Sequence, residues 1–172
     1  MVENNAIVKI VALGGSGSGK TSYLATLYGE MDGGIEVINS QGNEVKYSIN
    51  CIKDDDRRFL LDQHEMLQKG EDIESTNKDK QYFIEMFRKE DGNRSSIISF
   101  YWKDYCGEDV LNENMQNREM EKSVKEADCL VVFIDGRDLE NIESENRLGN
   151  ISGRMKIYLQ LFKIEKIWLY VL

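Results

Sequence analysis

The chain of 172 residues contains no proline, an absence for which the sequence offers no physical reason. Its three cysteines, Cys51, Cys106 and Cys129, are odd in number and far apart. That spacing supports neither a disulfide framework nor a CxxC metal site, and free thiols suit a reducing cytoplasm. One histidine, His64, has no candidate catalytic partner nearby in the sequence and reads as a surface or boundary side chain. No apolar run approaches the roughly 20 residues of a membrane-spanning helix. Met1-Val2-Glu3-Asn4-Asn5 has neither the basic start nor the apolar stretch of a secretory leader. Basic residues are outnumbered, 22 Lys and Arg against 31 Asp and Glu, for a net charge of −9. A nucleic-acid-binding surface needs a basic face that this balance does not supply. The expectation is a cytoplasmic protein with neither nucleic acid nor membrane as a partner.

What is there begins with Gly14-Gly15-Ser16-Gly17-Ser18-Gly19-Lys20-Thr21. It follows the apolar run Ala6–Leu13, which reads as a buried strand, and precedes Ser22–Tyr28, which reads as the first turns of a helix. Strand, glycine-rich turn and helix in this order form the context in which G-x-x-x-x-G-K-[ST] binds phosphate. Glycines let successive backbone N–H groups converge on phosphate oxygens, because no Cβ blocks the turn or the ligand. The helix start adds unpaired donors and partial positive charge. Gly15, Ser16, Gly17, Ser18, Gly19, Lys20 and Thr21 are therefore the candidate nucleotide-binding residues. Lys20 would reach the β- and γ-phosphates, and the Thr21 hydroxyl would ligate Mg²⁺.

Further along, Met31-Asp32-Gly33-Gly34 breaks the helix, and Ile35–Asn39 and Glu44–Asn50 flank a glycine-containing turn as a hairpin. Lys53–Lys69 reads as a helix that Gly70 stops. Asp54-Asp55-Asp56 at its start reads as charge complementing a helix N-terminus rather than as a metal cluster. After the polar stretch Gly70–Lys80, Gln81–Phe87 and Ser95–Lys103 read as antiparallel strands joined at Asp91-Gly92-Asn93. Asn112–Glu126 reads as a polar helix. Cys129–Ile134 is apolar enough for a buried parallel strand, a helix is expected near Gly153–Phe162, and a strand at Ile167–Leu172. Asp135 and Asp138, which follow the apolar strand, read as part of a turn. There is no internal repeat and no linker, so the reading is one α/β domain.

The strand ending in Asp104-Tyr105-Cys106-Gly107 supplies a second motif, D-x-x-G. A carboxylate at a strand end can hold Mg²⁺ directly or through water, and a glycine N–H three residues later can meet a γ-phosphate. On Gly14–Thr21 and Asp104–Gly107 the chain resembles the translation-factor-related, Ras-like P-loop GTPases. Among these it looks most like the bacterial GTPase-like domains of multi-gene systems. The resemblance implies a three-layer P-loop NTPase fold of the α/β class, with a mostly parallel sheet and one antiparallel strand. It also implies a switch threonine binding Mg²⁺, for which Thr76 is the candidate, and places Glu108 where many members carry a water-orienting glutamine. A carboxylate there puts negative charge near the γ-phosphate, so unaided hydrolysis is expected to be slow. The family's guanine-reading N-K-x-D should follow the strand at Ile167–Leu172, where the sequence stops.

These readings give one P-loop nucleotide-binding domain over residues 1–172, incomplete at its C-terminus, with residues 32–80 as an insertion or switch region. The expected function is a GTPase-type switch using GTP and Mg²⁺, with ATP not excluded and Glu108 and Lys20 as the catalytic candidates. Gly107 would sense the γ-phosphate, Thr21, Asp104 and Thr76 would serve the metal, and a protein partner or self-association is expected. Two alternatives stay open: a non-catalytic nucleotide-binding interaction module, and a P-loop ATPase or small-molecule kinase.

Overall fold

Apolar residues on both faces of a strand demand cover on both sides, and β1 (Ile7–Gly14) meets that demand only in its second half. Ile7 is 52% exposed, whereas Val11, Ala12 and Leu13 are fully enclosed. The expectation of a buried strand along the whole run is thus corrected for its first residues. The computed structural model describes residues 7–73, 78–105, 117–134 and 168–171. The remaining elements are α1 (Lys20–Asp32), β2 (Ile35–Ile38), β3 (Glu44–Cys51), α2 (Asp54–Gln68), β4 (Lys80–Glu90), β5 (Asn93–Asp104), α3 (Asn117–Lys125), β6 (Cys129–Ile134) and β7 (Trp168–Val171). The helix expected near Gly153–Phe162 lies outside the described residues, as does the turn at Asp135 and Asp138. Among the described residues no helix is long and apolar enough to cross a membrane.

The chain divides into two compact units, one of Met1–Lys9, Thr21–Glu74 and Gln81–Lys103, the other of Ile10–Lys20, Ser75–Lys80 and Asp104–Leu172. In the first, the strands follow in the order β2-β3-β4-β5. The short β2–β3 and β4–β5 connections give antiparallel hairpins, and β3 and β4, joined through α2, also pair antiparallel. Ile35 stands opposite Tyr47 across β2 and β3, and Val45 opposite Glu90 across β3 and β4. The turn between β2 and β3 is closed by Asn39, whose Oδ1 accepts from the N–H groups of Gln41 and Asn43, both at 2.9 Å. Asp91 and Gly92, both at positive φ, make the two-residue turn between β4 and β5. The class is α/β with a mixed sheet, and its antiparallel part is wider than the single strand of the expectation, because two hairpins contribute to it.

Helix α2 begins with Asp54, Asp55 and Asp56 in its first turn, where negative charge complements the unpaired N–H groups. It ends as the glycine signal implied: Gly70 takes φ 71°, and the Glu71 N–H donates to the Met66 carbonyl at 2.9 Å. The core of this unit includes Leu24, Tyr28, Val45, Ile49, Leu60, Tyr82 and Trp102. His64 is a boundary residue, its side chain 13% exposed. Its ring lies against Gly29 of α1, where an added Cβ would run into it. The Arg57 guanidinium donates to both carboxylate oxygens of Asp32, at 3.2 and 3.1 Å, tying the end of α1 to the start of α2.

In the second unit the order is β1-β6-β7 with parallel pairing, Ile10 opposite Cys129, Gly14 opposite Phe133, and Val131 opposite Trp168. Leu130, Val131, Val132 and Phe133 are all buried, as a strand covered on both faces should be. Val11, Leu13, Leu130 and Val132 pack with Tyr105 and with Met120 and Val124 of α3.

The Tyr28 hydroxyl accepts the Cys51 N–H at 3.0 Å inside the first unit. Burial pushes the Tyr28 phenol from an ordinary 10.0 up to about 12. Burial, with help from Asp56, pushes the Cys51 thiol from 9.0 up to about 12. Both groups hold their protons more tightly folded than unfolded. Their contribution to stability is therefore complete below pH 9.0 and is lost as the pH climbs toward 12. The urea midpoint should fall through this alkaline window. Cys51→Ala should delay the onset of the fall to the tyrosine range, and an unchanged profile in that variant would contradict the assignment.

Candidate functional site

Between β1 and α1 the chain must turn tightly. Gly17 and Gly19 supply this with φ of 74° and 87°, a region closed to most residues with a Cβ. The Ser18 N–H donates to the Gly15 carbonyl at 3.3 Å, closing the turn. At the base of the loop, a Cβ on Gly14 would stand 2.5 Å from Ser18 Oγ and 2.7 Å from the Phe133 carbonyl oxygen. The end of β1 thus fits against the end of β6 only as glycine. Gly14 is part of the motif, yet the reading of binding residues started at Gly15 and missed this packing role. Its signal was the doubled glycine itself.

Lys20 opens α1 and is 6% exposed. Its Nζ donates to the carbonyls of Gly14 and Gly15, each at 3.0 Å, so the ammonium lies back along its own loop. Thr21, next in α1, is buried at 8% exposure. Ser16 and Gly17 are exposed at the tip, and Gly15 and Gly19 are half-buried. The Ser18 hydroxyl is enclosed with no hydrogen-bond partner among the described residues. A glycine-rich loop whose own carbonyls hold a buried ammonium is chemically suited to a multiply charged phosphate chain.

Asp104 ends β5, is fully buried, and belongs to the same compact unit as Ile10–Lys20. Tyr105, directly after it, is 3% exposed in the apolar cluster with α3, and its hydroxyl donates to the Glu119 carbonyl at 3.4 Å. This anchoring of the strand end was not read from the sequence; the aromatic positions around Asp104 were its only trace. Gly107, Glu108 and Thr76 lie outside the described residues. Among the described residues no group of three or more His, Cys, Asp or Glu side chains could hold a metal ion by itself.

A glycine-cradled lysine between a parallel strand and a helix, in an α/β domain with a mixed sheet, defines a GTPase-type nucleotide-binding domain. The model of the family described as Double-GTPase 1 matches residues 11–155, and the chain belongs to that family. No curated protein matches the chain.

Gly14→Ala should destabilise the domain by about 1–3 kcal/mol, the usual cost of forcing atoms into a packed site. Adding Ser18→Gly should restore only part of that loss, because the Phe133 carbonyl remains in the way. Thermal melting of the single and double variants tests this; a silent Gly14→Ala would show that the loop base is slack.

Proposed function

We propose that the chain is a GTP-binding molecular switch of the translation-factor-related type, with slow Mg²⁺-dependent hydrolysis. The observation that carries the reading is the buried Lys20 ammonium inside a glycine loop at the end of a parallel strand, in a member of the Double-GTPase 1 family. The residues present suit a nucleotide phosphate: an enclosed Ser18 hydroxyl without a partner among the described residues, glycines at positive φ in the loop, and the buried Lys20 ammonium. Backbone N–H groups of Gly15–Lys20 orient the phosphate chain, and Lys20 exchanges loop carbonyls for phosphate oxygens. Thr21 and Asp104 are the residues that would hold Mg²⁺, one as a hydroxyl ligand, the other directly or through water. The ion, when bound, offsets negative charge on the β- and γ-phosphates.

In this proposal the Gly107 N–H senses the γ-phosphate, Thr76 completes the metal site in the triphosphate state, and Glu108 orients the attacking water. Residues 32–80 act as the insertion or switch region of a single nucleotide-binding domain spanning residues 1–172. Glu108 carries a negative charge where charge already accumulates, which makes hydrolysis slow without a partner. The same residue favours a second reading, a nucleotide-binding interaction module that does not hydrolyse. A protein partner or a second copy, and a cytoplasmic setting, complete the proposal.

Calorimetric titration with GTP and ATP, with and without Mg²⁺, tests the reading. Magnesium-dependent binding with GTP preferred is the expected result, and no preference for GTP would overturn its guanine part. Lys20→Ala should abolish triphosphate binding; retained affinity would refute the phosphate role of the loop. Asp104→Asn should reduce Mg²⁺-dependent GTP binding by about tenfold, a loss typical of one charged contact. GDP affinity should change less, and equal losses would refute the metal role. Single-turnover hydrolysis separates switch from module.

A further inference from the structure

Strand β2 stands at the edge of the sheet in its compact unit, and among the described residues it pairs with β3 alone. An edge strand leaves a row of backbone N–H and C=O groups without a ladder partner, a template for another strand. Natural edges are commonly guarded by proline, lysine or a bulge. This chain has no proline, β2 carries no lysine, and its register with β3 runs unbroken from Ile35 opposite Tyr47 to Ile38 opposite Glu44. Shortness is the guard it keeps, at 4 residues. Its side chains are bare as well: Ile35, Val37 and Ile38 are exposed, Ile38 to 76%.

The hairpin fixes which backbone groups face the open side. The Asn39 N–H donates to the Asn43 carbonyl at 2.9 Å, so these residues form a hydrogen-bonded pair beside the turn. Such pairs alternate along an antiparallel ladder. Val37 and Ile35 therefore direct their backbone groups at β3, while Glu36 and Ile38 direct theirs outward. A two-fold contact needs a patch that complements itself. With Val37 of one copy opposite Val37 of another, Glu36 falls opposite Ile38 in both directions. Each Glu36–Ile38 pair then exchanges both N–H···O bonds, which uses every outward group of the strand. The valines meet on the axis as a non-hydrogen-bonded pair, where side chains approach most closely. Centring the contact on Glu36 would set like charges face to face, which is destabilising. Centring it on Ile38 would place Glu36 opposite Ser40, beyond the end of β2.

We propose that β2 is a self-association edge. Two copies of the chain join β2 to β2, antiparallel about a two-fold axis at Val37, and the sheet continues from one copy into the other. The occupant is a second copy because the strand complements itself in backbone groups, apolar side chains and charge. Glu36 is already paired within its own copy, to Lys46 at 3.5 Å, and across the axis it meets Ile38 rather than another carboxylate. The inference gives a surface to the second copy named in the proposed function and does not rest on the nucleotide reading. A strand of this length lies at the small end of specific interfaces, below about 1,200 Å², so the dimer is weak and reversible.

Sedimentation equilibrium of the full chain without nucleotide should show monomer and dimer with a dissociation constant on the order of 100 µM. Ile38→Pro removes an outward N–H and leaves the ladder to β3 intact, so it should weaken the dimer by about tenfold or more. Ile38→Glu should weaken it too, because it sets a carboxylate opposite Glu36. Ile38→Lys sets an ammonium there instead and should hold the dimer at least as tightly. Val37→Cys should form an intermolecular disulfide under mild oxidation, since non-hydrogen-bonded pairs hold their Cα atoms about 4.5 Å apart, within disulfide reach. Ile35→Cys, which falls opposite Asn39 of the second copy, should not rise above the background of the unsubstituted chain with Cys51, Cys106 and Cys129.

A chain that stays monomeric up to about 1 mM would leave the edge to a strand of another protein and overturn the inference. Loss of the dimer in Ile38→Lys as well as in Ile38→Glu would reduce the contact to apolar adhesion and overturn the pairing. Equal crosslinking from Ile35→Cys and Val37→Cys would overturn the register. Thermal melting checks the fold of each variant; if Ile38→Pro does not fold, Ile38→Glu and the two cysteine variants decide. Dimers of a chain that binds no GTP would remove the nucleotide reading alone. GTP binding by a strict monomer would remove this inference alone.

Discussion

The ammonium of Lys20, buried and held by the carbonyl oxygens of Gly14 and Gly15, is the constraint around which the site is built. A charge taken out of water must be surrounded by dipoles, and here the loop supplies them from its own backbone. That requirement fixes how tightly the chain turns between β1 and α1. The tight turn in turn explains the positive φ at Gly17 and Gly19 and the bare Cα at Gly14, where β1 meets the end of β6. The parallel pairing of β1 with β6 then has to bring Gly14 level with Phe133, which it does.

Helix α1 continues from that lysine, and several contacts within its compact unit hold it. Tyr28 accepts a backbone hydrogen bond at the end of β3, Asp32 is paired with Arg57, and Gly29 makes room for His64. Tyr23 stacks on Trp102 near the first turn. These contacts differ in kind. The Arg57–Asp32 pair is partly exposed and therefore screened by solvent. The Tyr28 side chain is enclosed and Trp102 of the stack is buried against a half-buried Tyr23, so these contacts carry more of the fixing of the helix. A helix held at many points can move only as a rigid element.

The chemistry at the β5 end follows a different logic. Asp104 is a fully buried carboxylate at the edge of an apolar cluster, a place that costs free energy unless the group has a task or a partner. Tyr105 packs with α3 in the apolar cluster, and its hydroxyl donates to the Glu119 carbonyl.

By itself the sequence determined what depends on short-range rules. The order of strand, glycine turn and helix at Gly14–Thr21, the stop at Gly70, the hairpins and the apolar β6 all follow from local chain sterics and hydrophobic periodicity. The α/β class follows from their order, and the GTPase-type domain from the loop and its setting. Tertiary structure alone decided which halves of elements are covered, so Ile7 is exposed where a buried strand was expected. It also decided the width of the antiparallel part, the contact of His64 with Gly29, the fit of Gly14 against β6, and the pairing of Tyr23 with Trp102. Each of these joins residues far apart in the chain. No local propensity encodes them, because they arise only when distant side chains compete for the same space.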